Sequence, residues 1–313
     1  MVKEIDEKII EIDNEIEKIL NEDVVDEARL YVLKREKHDY IKMCKNLDPH
    51  DKVYLARHKK RPKINDYIDN IFEDFFEQKG DALGKNDSSI IGGIAMYNGM
   101  PVTVIGHKKG NTLNENLECN FGMPGPEGYR KALRLMKQAE KFGRPIITFI
   151  DTPGAYPGLE AETNGQGSAI AVNLAKMSAL KVPVIAIVTG EGSSGGALAI
   201  GVANSVLMLE NAVYSILSPE GYATILWKDS SRSNEACSMM KLTAQDLKGF
   251  HVIDDIIPEP IGGAHINPKA VYKTVDRYLK KELDKYAMMS GDELSKHRYK
   301  KFRNIDSDYL KVL

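Results

Sequence analysis

Two glycine-rich segments carry the residues best suited to chemistry. The first is Gly190-Glu191-Gly192-Ser193-Ser194-Gly195-Gly196, which reads as a turn between an apolar strand at 182–188 and an apolar helix at 197–202. Glycine permits positive φ and close backbone approach to a ligand. The first amides of the following helix lack intrahelical acceptors and carry the positive end of its dipole. That geometry suits a phosphate or a developing oxyanion. No Gly-Lys-Ser/Thr follows, so the segment is not a Walker A loop, nor does it place GxGxxG for a dinucleotide. The alternative is a tight strand-to-helix crossing that needs glycine only for packing. The second segment is Asp151-Thr152-Pro153-Gly154-Ala155-Tyr156-Pro157-Gly158, which follows the preceding strand. Ligands of parallel sheets bind beyond the carboxyl ends of the strands, so the pair argues more strongly than either alone. Asp151 is an acid or base, or a turn cap. Tyr156 stacks on a ligand, or covers its own turn. Ser193, Ser194 and His107 raise a nucleophile reading that needs a base within reach. His251 and His265 stand isolated and read as structural. No HExxH, cysteine cluster or EF-hand loop is present.

These segments sit inside an alternating pattern. Runs 90–96 and 102–106 flank Asn98-Gly99, a hairpin signature. A helix is expected over 127–141, with Tyr129, Ala132, Leu133, Met136, Ala139 and Phe142 on one stripe, closed by Gly143. A strand at 146–150, a helix at 166–180, strands at 182–188, 205–209 and 214–217, and a helix opening at Ser218-Pro219-Glu220 follow. Two charged amphipathic helices occupy 268–304. The sum is an α/β layered fold with a mostly parallel sheet.

Ahead of this lies a helical hairpin. Ile5, Ile9, Ile12, Ile16 and Ile19 keep a heptad spacing, and Leu30, Leu33, Tyr40, Cys44 and Leu47 follow on a second arm that Asp48-Pro49 ends. Such a hairpin packs on its own domain or docks another subunit; the long isoleucine seam favours docking. The chain divides at 1–48 and 49–313. The basic run Arg57-His58-Lys59-Lys60-Arg61-Pro62-Lys63-Ile64 reads as solvated surface, with contact to an anionic ligand or partner as the alternative.

The 313 residues are 42% hydrophobic and 28% charged, with a formal net charge of -2. No global basic field points to nucleic acid. Cys44, Cys119 and Cys237 cannot make a four-cysteine zinc site or a paired disulfide framework. No run reaches the roughly 20 apolar residues of a membrane helix. A cytoplasmic location is expected.

The runs NFGMPGPEGYRKALRLMKQAEKFGRPIITFIDTPGAYPG (from Asn120), GEGSSGGALAIGVAN, YSILSPEGYATILWKD and IIPEPIGGAH resemble, in this order, the alpha subunits of bacterial acetyl-CoA carboxylase carboxyltransferases. The resemblance spans about residue 48 to the C-terminus, and the hairpin is in keeping with it. It implies a crotonase-like superhelix of ββα units. It implies carboxyl transfer from carboxybiotin, on the biotin carboxyl carrier protein, to acetyl-CoA, giving malonyl-CoA for fatty acid synthesis. It implies an α2β2 assembly with a zinc-containing beta subunit, biotin carboxylase in the larger complex, and no metal in this chain. Gly195 and Gly196 would form an oxyanion hole facing biotin, with Gly154, Ala155, Tyr156, Pro157, Gly158 and Glu220 lining that side. The sequence departs from the pattern at Glu118-Cys119 and Thr163-Asn164, where family members carry basic residues, and at Ser193 in GEGSSGG. Rival readings are a carboxyltransferase for another acyl-CoA, a serine hydrolase using Ser194, and a non-catalytic assembly subunit.

Overall fold

The computed structural model describes residues 1–305. Helices α1 (Val2–Leu20) and α2 (Glu27–Met43) form the expected hairpin. The isoleucine seam faces inward: Ile5, Ile9, Ile12 and Ile19 are buried, against Leu33 near the tip and Cys44 and Leu55 at the base. Asp26 caps α2 by accepting from Arg29 N at 2.9 Å. Leu55 belongs to α3 (Pro49–Ala56), where Asp48 provides the cap and Pro49 the first turn. Helix α4 (Ile64–Ile71) and strand β1 (Glu73–Glu77), unforeseen from the pattern, lead into the sheet.

Strands β2 (Ile90–Tyr97) and β3 (Met100–His107) pair antiparallel across Asn98-Gly99, both at positive φ, as the dipeptide predicts. Helix α5 (Leu113–Glu118) precedes α6 (Pro126–Lys141), which covers the sheet with Leu135 and Met136. Gly143 at φ 67° ends that turn. Then come β4 (Ile146–Thr152), α7 (Leu159–Thr163), α8 (Gln166–Ala179), β5 (Val184–Ser193), α9 (Ser194–Leu198), β6 (Ser205–Leu209) and β7 (Val213–Ser215). Helices α10 (Pro219–Trp227), α11 (Ser233–Met240) and α12 (Ala244–Gly249), strand β8 (Asp255–Ile257), and helices α13 (Pro268–Tyr286) and α14 (Gly291–Asn304) complete the described residues.

The sheet runs β1-β2-β3-β4-β5-β6-β8, antiparallel through β3 and parallel beyond it. Strand β5 is buried along its whole length and serves two ladders. Ile185–Val188 pair with β6, while Glu191–Ser193 pair with β7. This overturns the reading of Gly190–Ser193 as turn: their backbone groups find a strand partner, so the ladder continues to the helix. The glycines there answer to packing. A Cβ on Gly190 would sit 2.4 Å from Asp151 Oδ1, and one on Gly192 would sit 3.0 Å from the Tyr214 ring. Among the described residues no helix is long and apolar enough to cross a membrane.

Candidate active site

The change from strand to helix takes place in one residue. Ser194 has φ 55°, a left-handed conformation costly for serine. It turns β5 straight into α9, whose second and third residues are Gly195 and Gly196. At these positions backbone N–H groups have no intrahelical acceptor. Beside them lies the turn after β4. A Cβ on Gly196 would fall 2.5 Å from Ala155 N and 2.6 Å from the Gly154 carbonyl carbon. The two glycine segments therefore meet backbone to backbone, and only glycine fits. Gly195 differs: a Cβ there would reach only Ile170 on α8, at 3.5 Å. Nothing within the chain demands glycine at 195, which leaves room for a ligand.

The β4 turn is held from within. Thr152 Oγ1 donates to Gly154 O at 2.7 Å and accepts from Gly154 N at 3.0 Å. Gly154 has φ 144°, a region that favours glycine. Tyr156 N donates to Pro124 O at 2.9 Å, and Gln166 Nε2 ties Pro124 O to Tyr156 O. The Tyr156 ring folds over Gly158, where a Cβ would sit 2.4 Å from Cε1. Of the two readings for Tyr156, the covering role is the one its ring adopts. Pro157 continues this exposed stretch. Asp151 is tied rather than free: its Oδ1 accepts from Lys109 Nζ at 2.5 Å and from Glu191 N at 3.0 Å.

The basic run 57–64 departs from the surface reading at its two arginines, while Lys59 and Lys60 are exposed as expected. Arg61 is buried, pairs with buried Glu259 (Nη2–Oε1 2.5 Å), and donates from Nε to Thr189 O at 2.6 Å. Arg57 grips Glu191 with Nη2 at 2.7 Å and Nε at 3.0 Å, and reaches Glu220 with Nη1 at 2.8 Å. Burial opposes its charge, but the two carboxylates more than offset that and raise its pKa. Glu220 responds in the opposite sense, with desolvation outweighed by Arg57 and its carboxyl held below the ordinary range. One guanidinium thus joins α3, the upper half of β5 and the start of α10. Periodicity could not reveal this, because ion pairing across 134 residues leaves no local signal.

His265 is not isolated. It stacks on His58 with ring centroids 3.8 Å apart, and both ring edges face Asp6 of α1: His58 Nε2 at 3.0 Å and His265 Nε2 at 3.4 Å. Tyr54 Oη adds 2.8 Å. This is the donor set of a metal site. However, His58 Nδ1 accepts from Lys60 N at 3.2 Å, which puts the neutral imidazole's proton on Nε2, toward Asp6. The cluster clamps the hairpin to the core through the Tyr54 and His58 hydrogen bonds to Asp6 and the His58–His265 stack. It holds the Asp6 carboxyl below its usual range despite burial.

His107 is fully buried beside Gly196, and burial lowers its pKa to about 4. Among the described residues no histidine is hydrogen-bonded to Ser193 or Ser194, so the nucleophile reading has no base. Positions 118 and 164, two of the departures, line one cavity of about 420 Å³ with Tyr156 and Glu160. Cys119 is buried at 2% exposure and is not part of that lining.

The model of the family described as "Acetyl co-enzyme A carboxylase carboxyltransferase-like" matches residues 1–306. The chain belongs to this family. It is 54% identical over 296 residues to the acetyl-coenzyme A carboxylase carboxyl transferase subunit alpha of Geobacillus kaustophilus, covering 95% of this chain and 87% of that one. It is 52% identical over 303 residues to a protein of Clostridium tetani named as subunits beta/alpha, covering 93% of this chain and 53% of that one. The fold of this carboxyltransferase chain is shared with the transcarboxylase 12S core, at TM-score 0.61 and 20% identity over 75% of this chain and 43% of that one. The crotonase-like architecture expected from the motifs is the one found.

Proposed function

We propose that this chain is the alpha half of an acetyl-CoA carboxylase carboxyltransferase, moving a carboxyl group from carboxybiotin to acetyl-CoA to give malonyl-CoA. The observation that carries the reading is the backbone contact of Gly196 on Gly154–Ala155, beside a Gly195 whose Cβ position the fold leaves open. Carboxybiotin, borne on a carrier protein, supplies the carboxyl group when bound. The residues present fit it: the cradle is made of backbone donors and lacks side chains that would fill it. Gly195 and Gly196 N–H groups stabilise negative charge as it develops on the biotin carbonyl oxygen. Gly154–Gly158 form the adjoining wall. Glu220 is tied to Glu191 of β5 through Arg57, which aligns α10 with that strand. The chemistry asks no metal of this chain.

A beta subunit with a zinc ribbon supplies the acetyl-CoA side in an α2β2 assembly that works with biotin carboxylase in the cytoplasm. The hairpin, residues 1–48, is an arm for that assembly, and residues 49–313 are the carboxyltransferase unit. The experiment is malonyl-CoA formation by the complex reconstituted with its beta subunit and carboxylated carrier. Gly195→Val should lower turnover by roughly 100-fold or more, the scale of a lost oxyanion donor, with the complex intact by sedimentation. Unchanged turnover in that variant would leave the chain an assembly subunit.

A further inference from the structure

The basic run and the β4 turn enclose a cavity of about 450 Å³ that the carboxyl-transfer reading does not use. Its lining carries five cations, Arg57, Lys59, Arg61, Lys63 and Lys109, and one carboxylate, Asp151. Three of the five are already matched: Arg57 by Glu191 and Glu220, Arg61 by Glu259, and Lys109 by Asp151. Two are not. Lys59 is exposed and enters no ion pair among the described residues. The Lys63 ammonium donates only to neutral oxygens, Asn111 Oδ1 at 2.5 Å and Lys59 O at 3.2 Å, with the Asp66, Asp151 and Glu115 carboxylates acting on it without an ion pair. Desolvation lowers its pKa, the direction an entering anion would reverse.

The lining also has apolar members. Phe121, 44% exposed, presents an aromatic ring, and Leu113 lies alongside. Phe121 is held there by strained backbone: Asn120, Phe121 and Gly122 are consecutive left-handed residues at φ 46°, 54° and 79°. Gly122 is where the stem of Lys109 passes, since a Cβ there would sit 2.8 Å from Lys109 Cγ. Such strain persists only where the surroundings over-determine it. Here it fixes an exposed ring at the mouth of a cationic cavity.

From these observations we propose that the cavity binds the phosphates of a nucleotide through Lys59 and Lys63, with the base stacked on Phe121. Unmatched ammonium groups select phosphate oxygens, and an exposed aromatic ring selects a flat base. The proposal rests on the cavity alone and stands whether or not the chain transfers carboxyl groups. The nucleotide belongs either to a free nucleoside phosphate or to the phosphorylated adenosine end of a coenzyme A thioester.

The test is calorimetric titration of the full-length chain with ADP, pyrophosphate and adenosine. ADP should bind tightest, with affinity falling as salt rises. The double variant Lys59→Gln/Lys63→Gln should weaken ADP and pyrophosphate alike by on the order of 10-fold or more. Phe121→Asn, which tolerates left-handed φ, should weaken ADP about 10-fold and leave pyrophosphate unchanged. Lys59→Gln alone, at an exposed position, guards against misfolding of the double variant and should show part of the loss. Competition of ADP by coenzyme A would assign the thioester source; ADP binding without competition would assign a free nucleotide. Equal affinity for adenosine and ADP, or ADP binding unmoved by these variants, would overturn the proposal.

Discussion

The glycine wall and the arginine struts behind it solve the same task by opposite physics. The wall at 154–158 and 194–196 is positioned by backbone contact, with side chains excluded by the 2.5 Å approach at Gly196. The struts at Arg57 and Arg61 are positioned by charge, with carboxylates from distant segments closing each guanidinium. A wall of amides must stay bare to receive a ligand, so its support has to come from behind. The difference teaches that loss of a strut should act mainly on stability, whereas loss of a glycine should act mainly on turnover.

The largest expected effect probes the strut side. Arg61→Ala leaves Glu259 buried without its cation and should cost about 3–5 kcal/mol of unfolding free energy, read by urea denaturation. A loss below 1 kcal/mol would mean that charge does not position the wall. The glycine side is sharpened by a pair of variants. Gly196→Ala forces the two turns apart and should lower turnover by roughly 100-fold or more, while Gly195→Ala should leave the melting temperature of the chain nearly unchanged because its Cβ meets only Ile170. Equal thermal effects of the two would erase the distinction. The smallest effect concerns the buried ring beside the wall. The folded pKa of His107 lies near 4 against 6.5 for the free side chain. Between these values the unfolded chain holds more protons, so stability falls as pH drops from about 6.5 to 4 and is fully present above that window. At pH 5 the expected loss is about 2 kcal/mol, and His107→Met should flatten that slope.

How far the sequence was readable follows from the range of each interaction. The hairpin at Asn98-Gly99, the helix of residues 126–141 and the isoleucine seam were legible because turn chemistry and periodicity are local. The short helices 49–56 and 64–71 and the strand 73–77 were missed, since each is too short to show a period and is fixed by tertiary packing. Gly195 and Gly196 stood out as candidates from composition and position. Glu191, Arg57 and Asp6 were not, because their partners lie 134 and about 50 residues away.

By itself the sequence determined the N-terminal hairpin, the longer strands and helices of the α/β pattern and the family, and it located the two glycine segments in which a site could lie. Local propensity and long ordered motifs carry that much. Tertiary structure alone decided which glycines the packing requires and which it does not. Gly190 and Gly192 make room for Asp151 and Tyr214, Gly196 for the backbone of residues 154–155, and Gly195 for nothing in the chain. A glycine's reason lies in what its missing Cβ would strike, and that neighbour comes from another strand.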